Sequence, residues 1–116
     1  MRVFSAHFVL FISFFVSNLY AGTGSGVVTS ILVHEKNKSE GLVVFSTSEN
    51  KDKATCSNAS KGNDWAFDAH TPQGQAMYAL ILTAATSGQK IYVLGTGNCE
   101  AWPDREAPVY IKTVFE

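Results

Sequence analysis

The sequence lacks most of the features that announce chemistry. Its nine Lys and Arg side chains are balanced by ten Asp and Glu, so the basic excess that marks nucleic-acid binders is absent. No G-x-S-x-G elbow and no Cys–His pairing is recognisable, which leaves nucleophilic catalysis without support. Cys56 and Cys99 are the only cysteines. One pair cannot build a four-ligand zinc site, and His34 and His70 stand at no metal-ligand spacing from it. No metal or cofactor is expected, and no internal repeat or low-complexity linker interrupts the chain. Charge is also missing from one long stretch: "TPQGQAMYALILTAATSGQK", Thr71 to Lys90, carries none before Lys90.

What is present begins with an export signal, expected over residues 1–21. Met1-Arg2 supplies the positive region, "HFVLFISFFV" the apolar core, and "NLYAG" a cut after Ala21. Leu19 is larger than the usual small residue three before the cut, which leaves neighbouring bonds open. The apolar run falls well short of the roughly 20 residues of a membrane span. Without Arg2 the chain has eight basic and ten acidic side chains, a net charge near −2. Residues 22–116 suffice for one domain and not for two. In a secreted or periplasmic setting, Cys56 and Cys99 read as a disulfide. In a eukaryotic host, "NKS" at Asn37 and "NAS" at Asn58 would be glycan acceptors.

Within the domain, "GVVTSILVHEKN" alternates Val27, Thr29, Ile31 and Val33 against Val28, Ser30, Leu32 and His34, as a strand does. The turn "EKNKSEG" joins it to "LVVFSTS", giving a long hairpin. A third, irregular strand is expected around Cys56, with a short extended piece at Trp65–Phe67. "KIYVLGTG" and "VYIKTVF" supply two more strands, and the prolines of "NCEAWPDREAP" keep their connection irregular. The uncharged stretch is a helix, with Thr71 as N-cap, Pro72 in the first turn and Gly88 closing it. The order β-β-β-α-β-β is that of a mainly β, OB-like, partly open five-stranded barrel. An open sheet covered by one helix is the alternative.

Met77, Leu80, Ile81 and Ala84 stand at i, i+3, i+4, i+7 and form the face expected on the barrel. Ala76, Tyr78, Ala79, Leu82 and Ala85 then remain on faces with no charge, which is the pattern of an inter-subunit surface. A homo-oligomer is therefore expected; the alternative is a monomer in which these mostly small residues leave no large patch and the loop between the fourth and fifth strands covers the rest.

The side chains placed for ligand binding are aromatic. "NDWAFD" sets Asn63, Trp65 and Asp68 together, and "EAWPD" sets Trp102 beside Asp104. Indole faces stack on sugar C–H surfaces while the amide and carboxylates bond hydroxyls. A core role for Trp65 is the competing reading, and Trp102 is the tryptophan expected to be exposed. Asp68 and His70 in "DAH" read as a helix-entry loop rather than an acid–base pair. "HE" at His34-Glu35 lacks the second His of a metalloprotease helix.

"SGVV" at Ser25, "CS" at Cys56 followed by Trp65, "QAMY" on the helix and "SGQ" before the fourth strand occur in the order found in binding subunits of exported AB-type bacterial toxins. The chain resembles most the subtilase cytotoxin B subunit and its relatives. That resemblance implies an OB-like fold, a pentameric ring with helices lining the pore, sialylated glycan ligands and a separate catalytic A subunit. It also implies sugar contact by a serine before the first strand, matched by Ser25. The family's aromatic contact late in the fourth strand falls at Gly95 here, with Tyr92 nearby but out of register, and Cys99 implies a different disulfide. The expectation is an exported, non-enzymatic module that recognises a glycan. A structural protein-interaction module without a sugar site is the alternative.

Overall fold

The computed structural model describes residues 21–57 and 64–115. The leader before Ala21, Asn63 and the acceptor at 58–60 lie outside these residues. Five strands and one helix follow in the expected order: β1 Thr23–Lys36, β2 Glu40–Lys51, β3 Asp64–Asp68, α1 Pro72–Ser87, β4 Ile91–Gly95 and β5 Pro108–Thr113. They form one antiparallel sheet of order β3-β2-β1-β4-β5. The sheet curls without closing. Its edges approach at a parallel bridge between Trp65 and Glu106, where the Ala66 N–H donates to the Glu106 carbonyl at 3.1 Å. This is an OB-like, partly open barrel.

The curl originates in β1, which pairs with β2 along its length and with β4 through Thr23–Gly26. Irregularities between Ser25 and Val28 and between Val28 and Ser30 bend it there, as bulges do. Gly26 sits at the bend with φ of 99°, a conformation that disfavours any side chain. The bulges also shift the face that side chains present. Val28 and Ile31 both pack on the interior, although strict alternation would put them on opposite faces. Beyond the bend the hairpin turns through Asn37 and Lys38, both at positive φ.

Strand β2 is covered on both sides. Val43 and Phe45 join Trp65, Phe67, Ile81, Ala84, Ile91 and Val93 inside the barrel. On the reverse face Leu42 and Val44 pack with Ala66 and Ala101, and Trp102 covers them. The β4–β5 connection thus wraps the outside of the sheet. The Cys56–Cys99 disulfide, with Cα atoms 6.1 Å apart, ties it to the segment after β2. The third strand differs from expectation: Cys56 lies in a turn, and Asp64–Asp68 pairs with β2 in its place. Trp65 and Phe67 alternate with Ala66 so that both faces of this short strand find apolar partners.

The helix has the expected ends. Thr71 Oγ1 accepts from the Gly74 N–H at 2.9 Å, Pro72 opens the first turn, and Gly88 at φ 69° lets Gln89 N–H reach the Ala84 carbonyl at 3.0 Å. Its inner stripe is Gly74, Met77, Tyr78, Ile81 and Ala84. Tyr78 therefore packs on its own core and leaves the set expected at a subunit interface, while Leu80 is only half-buried beside the stripe. Among the described residues no helix is long and apolar enough to cross a membrane.

Candidate functional site

The residues expected to bind a ligand do not share one site. Trp65 is 0% exposed, and its indole N–H donates to Asn50 Oδ1 at 2.9 Å, so neither ring face is available to a ligand. Trp102 is half-buried against Leu42, Val44, Ala66 and Ala101 and tilts against His34; its apolar surface is largely occupied. Asp68 is ion-paired with Lys36 at 2.7 Å, and Asp104 bonds its neighbour Arg105. Asn63 lies outside the described residues. Glu40, Asp68 and His70 bring potential metal-ligand atoms within 4.8 Å of one another. Lys36 already neutralises Asp68 there.

Ser25 stands elsewhere, in a surface built by register. It is opposite Glu49 on β2 and Tyr92 on β4, and Tyr92 is opposite Lys112 on β5. Directly opposed residues project from the same face of a sheet, so Glu49, Ser25, Tyr92 and Lys112 form one row across four strands. Two residues along, Lys51, Thr23, Leu94 and Tyr110 form a second row by the same pairings. The two rows line an open depression of about 350 Å³. A second hollow, of about 380 Å³, continues from Ser25 and Tyr92 past Gly26 and Ser48.

The chemistry of this face is mixed. Tyr92 and Tyr110 are 47% and 48% exposed, unusual for aromatic rings on a small sheet. The Lys112 ammonium lies 5.5 Å from the Tyr92 ring centroid, within cation–π range. Ser25 Oγ donates to Glu49 Oε2 at 3.4 Å. Flat apolar rings, a hydroxyl, a carboxylate and two ammonium groups thus converge on one concave surface. Such a surface can stack a pyranose ring and bond its hydroxyls, with Lys51 and Lys112 placed to meet a negative charge.

Glu49, Tyr110 and Lys112 escaped the sequence reading, and Tyr92 entered it only as an aromatic out of register, although a signal for all four exists. In "IYVLG" Ile91 and Val93 are buried and alternate with Tyr92 and Leu94, and in "VYIKT" Ile111 alternates with Tyr110 and Lys112. An outward-facing tyrosine on each of two paired strands was the clue. Counted from Gly95, Tyr92 is out of register, yet the regular β1–β4 pairing sets it directly opposite Ser25. Gly95 does not stand in for an aromatic contact: it is buried, and a Cβ there would fall 1.6 Å from Glu106 Oε2.

Comparison of the chain with protein-family models, with curated proteins and with solved structures finds no match.

Proposed function

We propose that the protein is an exported, non-enzymatic binding module that holds a glycan on the Glu49–Ser25–Tyr92–Lys112 row. The observation that carries this reading is Tyr92, an exposed ring set directly across from Ser25 in a concave surface. The resemblance to toxin B subunits supports it from a second direction. The serine that the resemblance marks for sugar contact has an aromatic neighbour on β4 after all. Lys51 and Lys112 favour an acidic sugar, and sialylated glycans are the first class to test. A glycan array probed with wild type and Tyr92→Ala tests the proposal. Binding by wild type that disappears in the variant is expected; a variant that binds as well as wild type would remove the row from the site.

One observation favours a complementary reading in which the module assembles. Ala76, Ala79, Leu82 and Ala85 are exposed on α1, and no charge accompanies them. Thr83, Thr86 and Ser87 donate to carbonyls of the preceding turn, which further reduces the polarity of the outer face. A face of this kind fits a second copy of the chain, as in a ring of binding subunits that would carry a separate catalytic subunit.

A further inference from the structure

Glu106 is fully buried, yet among the described residues no Lys or Arg nitrogen lies within 4 Å of its carboxylate. Three backbone N–H groups hold it: Gly22 at 2.9 Å and Gly97 at 3.3 Å on Oε2, and Ala54 at 2.5 Å on Oε1. The nearby Lys53 is engaged elsewhere. Its ammonium sits 3.3 Å from the centroid of the Trp65 ring and donates to the Asp64 carbonyl at 2.9 Å. A buried carboxylate without a close cation is costly, and the fold goes to some trouble to keep one. A Cβ on Gly22 would lie 2.8 Å from Glu106 Oε1 and from Lys53 Cα, and Gly95 is barred from a side chain by the other carboxylate oxygen. Two glycines therefore shape the slot.

A cation in direct contact with this carboxylate has a source in the processing of the chain. We propose that Glu106 is the receptor for the α-ammonium group formed when the chain is cut between Ala21 and Gly22, so that processing adds a buried ion pair to the fold. This rests on the reading of the chain as exported with a leader. Hydrolysis by a leader peptidase adds one water across the Ala21–Gly22 amide, leaving a carboxylate on Ala21 and an amine on Gly22 that takes up a proton. The nitrogen already lies 2.9 Å from Glu106 Oε2, and the Gly22 carbonyl is pinned by the Gly95 N–H at 2.8 Å. Ala21 is exposed while Gly22 is buried, so the leader side of the bond faces solvent. Only this cut delivers the charge. A cut before Ala21 leaves a neutral amide at Glu106, and a cut after Gly22 removes both contacts.

The test starts with the full chain exported to a bacterial periplasm and the intact mass of the purified product. The expected chain begins at Gly22; any other start, or an uncut chain, overturns the proposal. A second form retaining Ala21 as its first residue should melt roughly 5 °C or more below the Gly22 form. Glu106→Gln should erase that difference, and an equal difference in both backgrounds overturns the ion pair. Should Glu106→Gln not fold, labelling of the wild-type α-amine by an amine-reactive reagent decides. Labelling at least tenfold slower than in a Gly-Thr-Gly peptide is expected, and labelling as fast as in the peptide overturns it. None of these readouts depends on glycan binding, so the binding proposal can fail without this one.

Discussion

Ser25 and Tyr92 stand directly opposite each other across the β1–β4 pair. The pairing puts a hydroxyl beside an exposed ring on a concave surface, so the proposed glycan site draws on neither tryptophan. Ser25→Ala removes one hydrogen-bonding group from the surface and is expected to weaken glycan affinity about fivefold, corresponding to about 1 kcal/mol. Trp102→Ala should behave in the opposite way. Its ring covers Leu42 and Val44, so the variant is expected to lose about 2 kcal/mol of stability and keep its affinity. Urea melts alongside calorimetric titration of the ligand found on the array separate the two outcomes. Lost affinity in a stable Trp102→Ala protein would return the site to the β4–β5 loop.

Gly95 makes a sharper stability prediction. A methyl group there meets Glu106 Oε2 and, at 2.9 Å, the Trp65 ring, and neither is a flexible surface group. Gly95→Ala should therefore cost about 3 kcal/mol by overpacking, whereas Gly88→Ala meets no neighbouring atom and loses only the left-handed cap. Equal denaturation midpoints for wild type and Gly95→Ala would mean that the carboxylate can leave its slot.

Reduction of Cys56–Cys99 frees the connection that covers the outer face of β2. The bridge closes a separation of 43 residues, for which chain entropy alone predicts a contribution of about 4 kcal/mol. A Cys56→Ser/Cys99→Ser double variant should show that loss in urea, together with greater protease sensitivity between Gly97 and Ala107. Unchanged stability would show that Ala101 and Trp102 hold the connection by packing alone.

The parts of this fold that were legible in the sequence are those set by local chemistry. Thr71, Pro72 and Gly88 bracket the helix because capping depends on residues within one turn. The strand order followed from β-branched runs punctuated by turns. Legibility failed where long-range register decides. The bulges in β1 change which of its residues share a face, and with them which residue opposes Ser25. Trp65 looked equally suited to a sugar or to the core, because composition cannot tell which side of a short strand meets a barrel interior. Glu106 gave no sign of its burial, since its slot is closed by Gly22 and Ala54 from two distant segments as well as by Gly97 of its own connection.

Lys53 gives the protein a particular response to alkali. Burial pushes its ammonium down from 10.5 to about 8, against the opposing pull of Glu106 and Asp64. A lysine whose folded value is depressed binds fewer protons than in the unfolded chain between those two limits. Its contribution to stability therefore improves as the pH rises from about 8 toward 10.5. Relative to Lys53→Met, wild type should gain stability over that window. Parallel pH profiles for the two proteins would mean that the ammonium remains solvated.

The outer face of α1 makes the final prediction. Leu82 is 39% exposed and stands among Ala79, Ala85 and hydroxyls already bonded to their own helix, so no charge on this face resists burial against another copy, and Gln75 is its polar edge. Light scattering of the oxidised protein after size exclusion should give a multiple of the monomer mass. Leu82→Lys should reduce it to a folded monomer, because the inner stripe of Gly74, Ile81 and Ala84 is untouched, with a melting temperature lower only by what assembly contributed. The consequence for binding is separable. A ring would present several copies of the Ser25–Tyr92 row at once, so on the proposed reading wild type should hold a multivalent glycan surface at least a hundredfold more tightly than the monomeric variant, while both bind a single soluble glycan equally. A monomeric wild type would leave the helix face without this role and the glycan row intact.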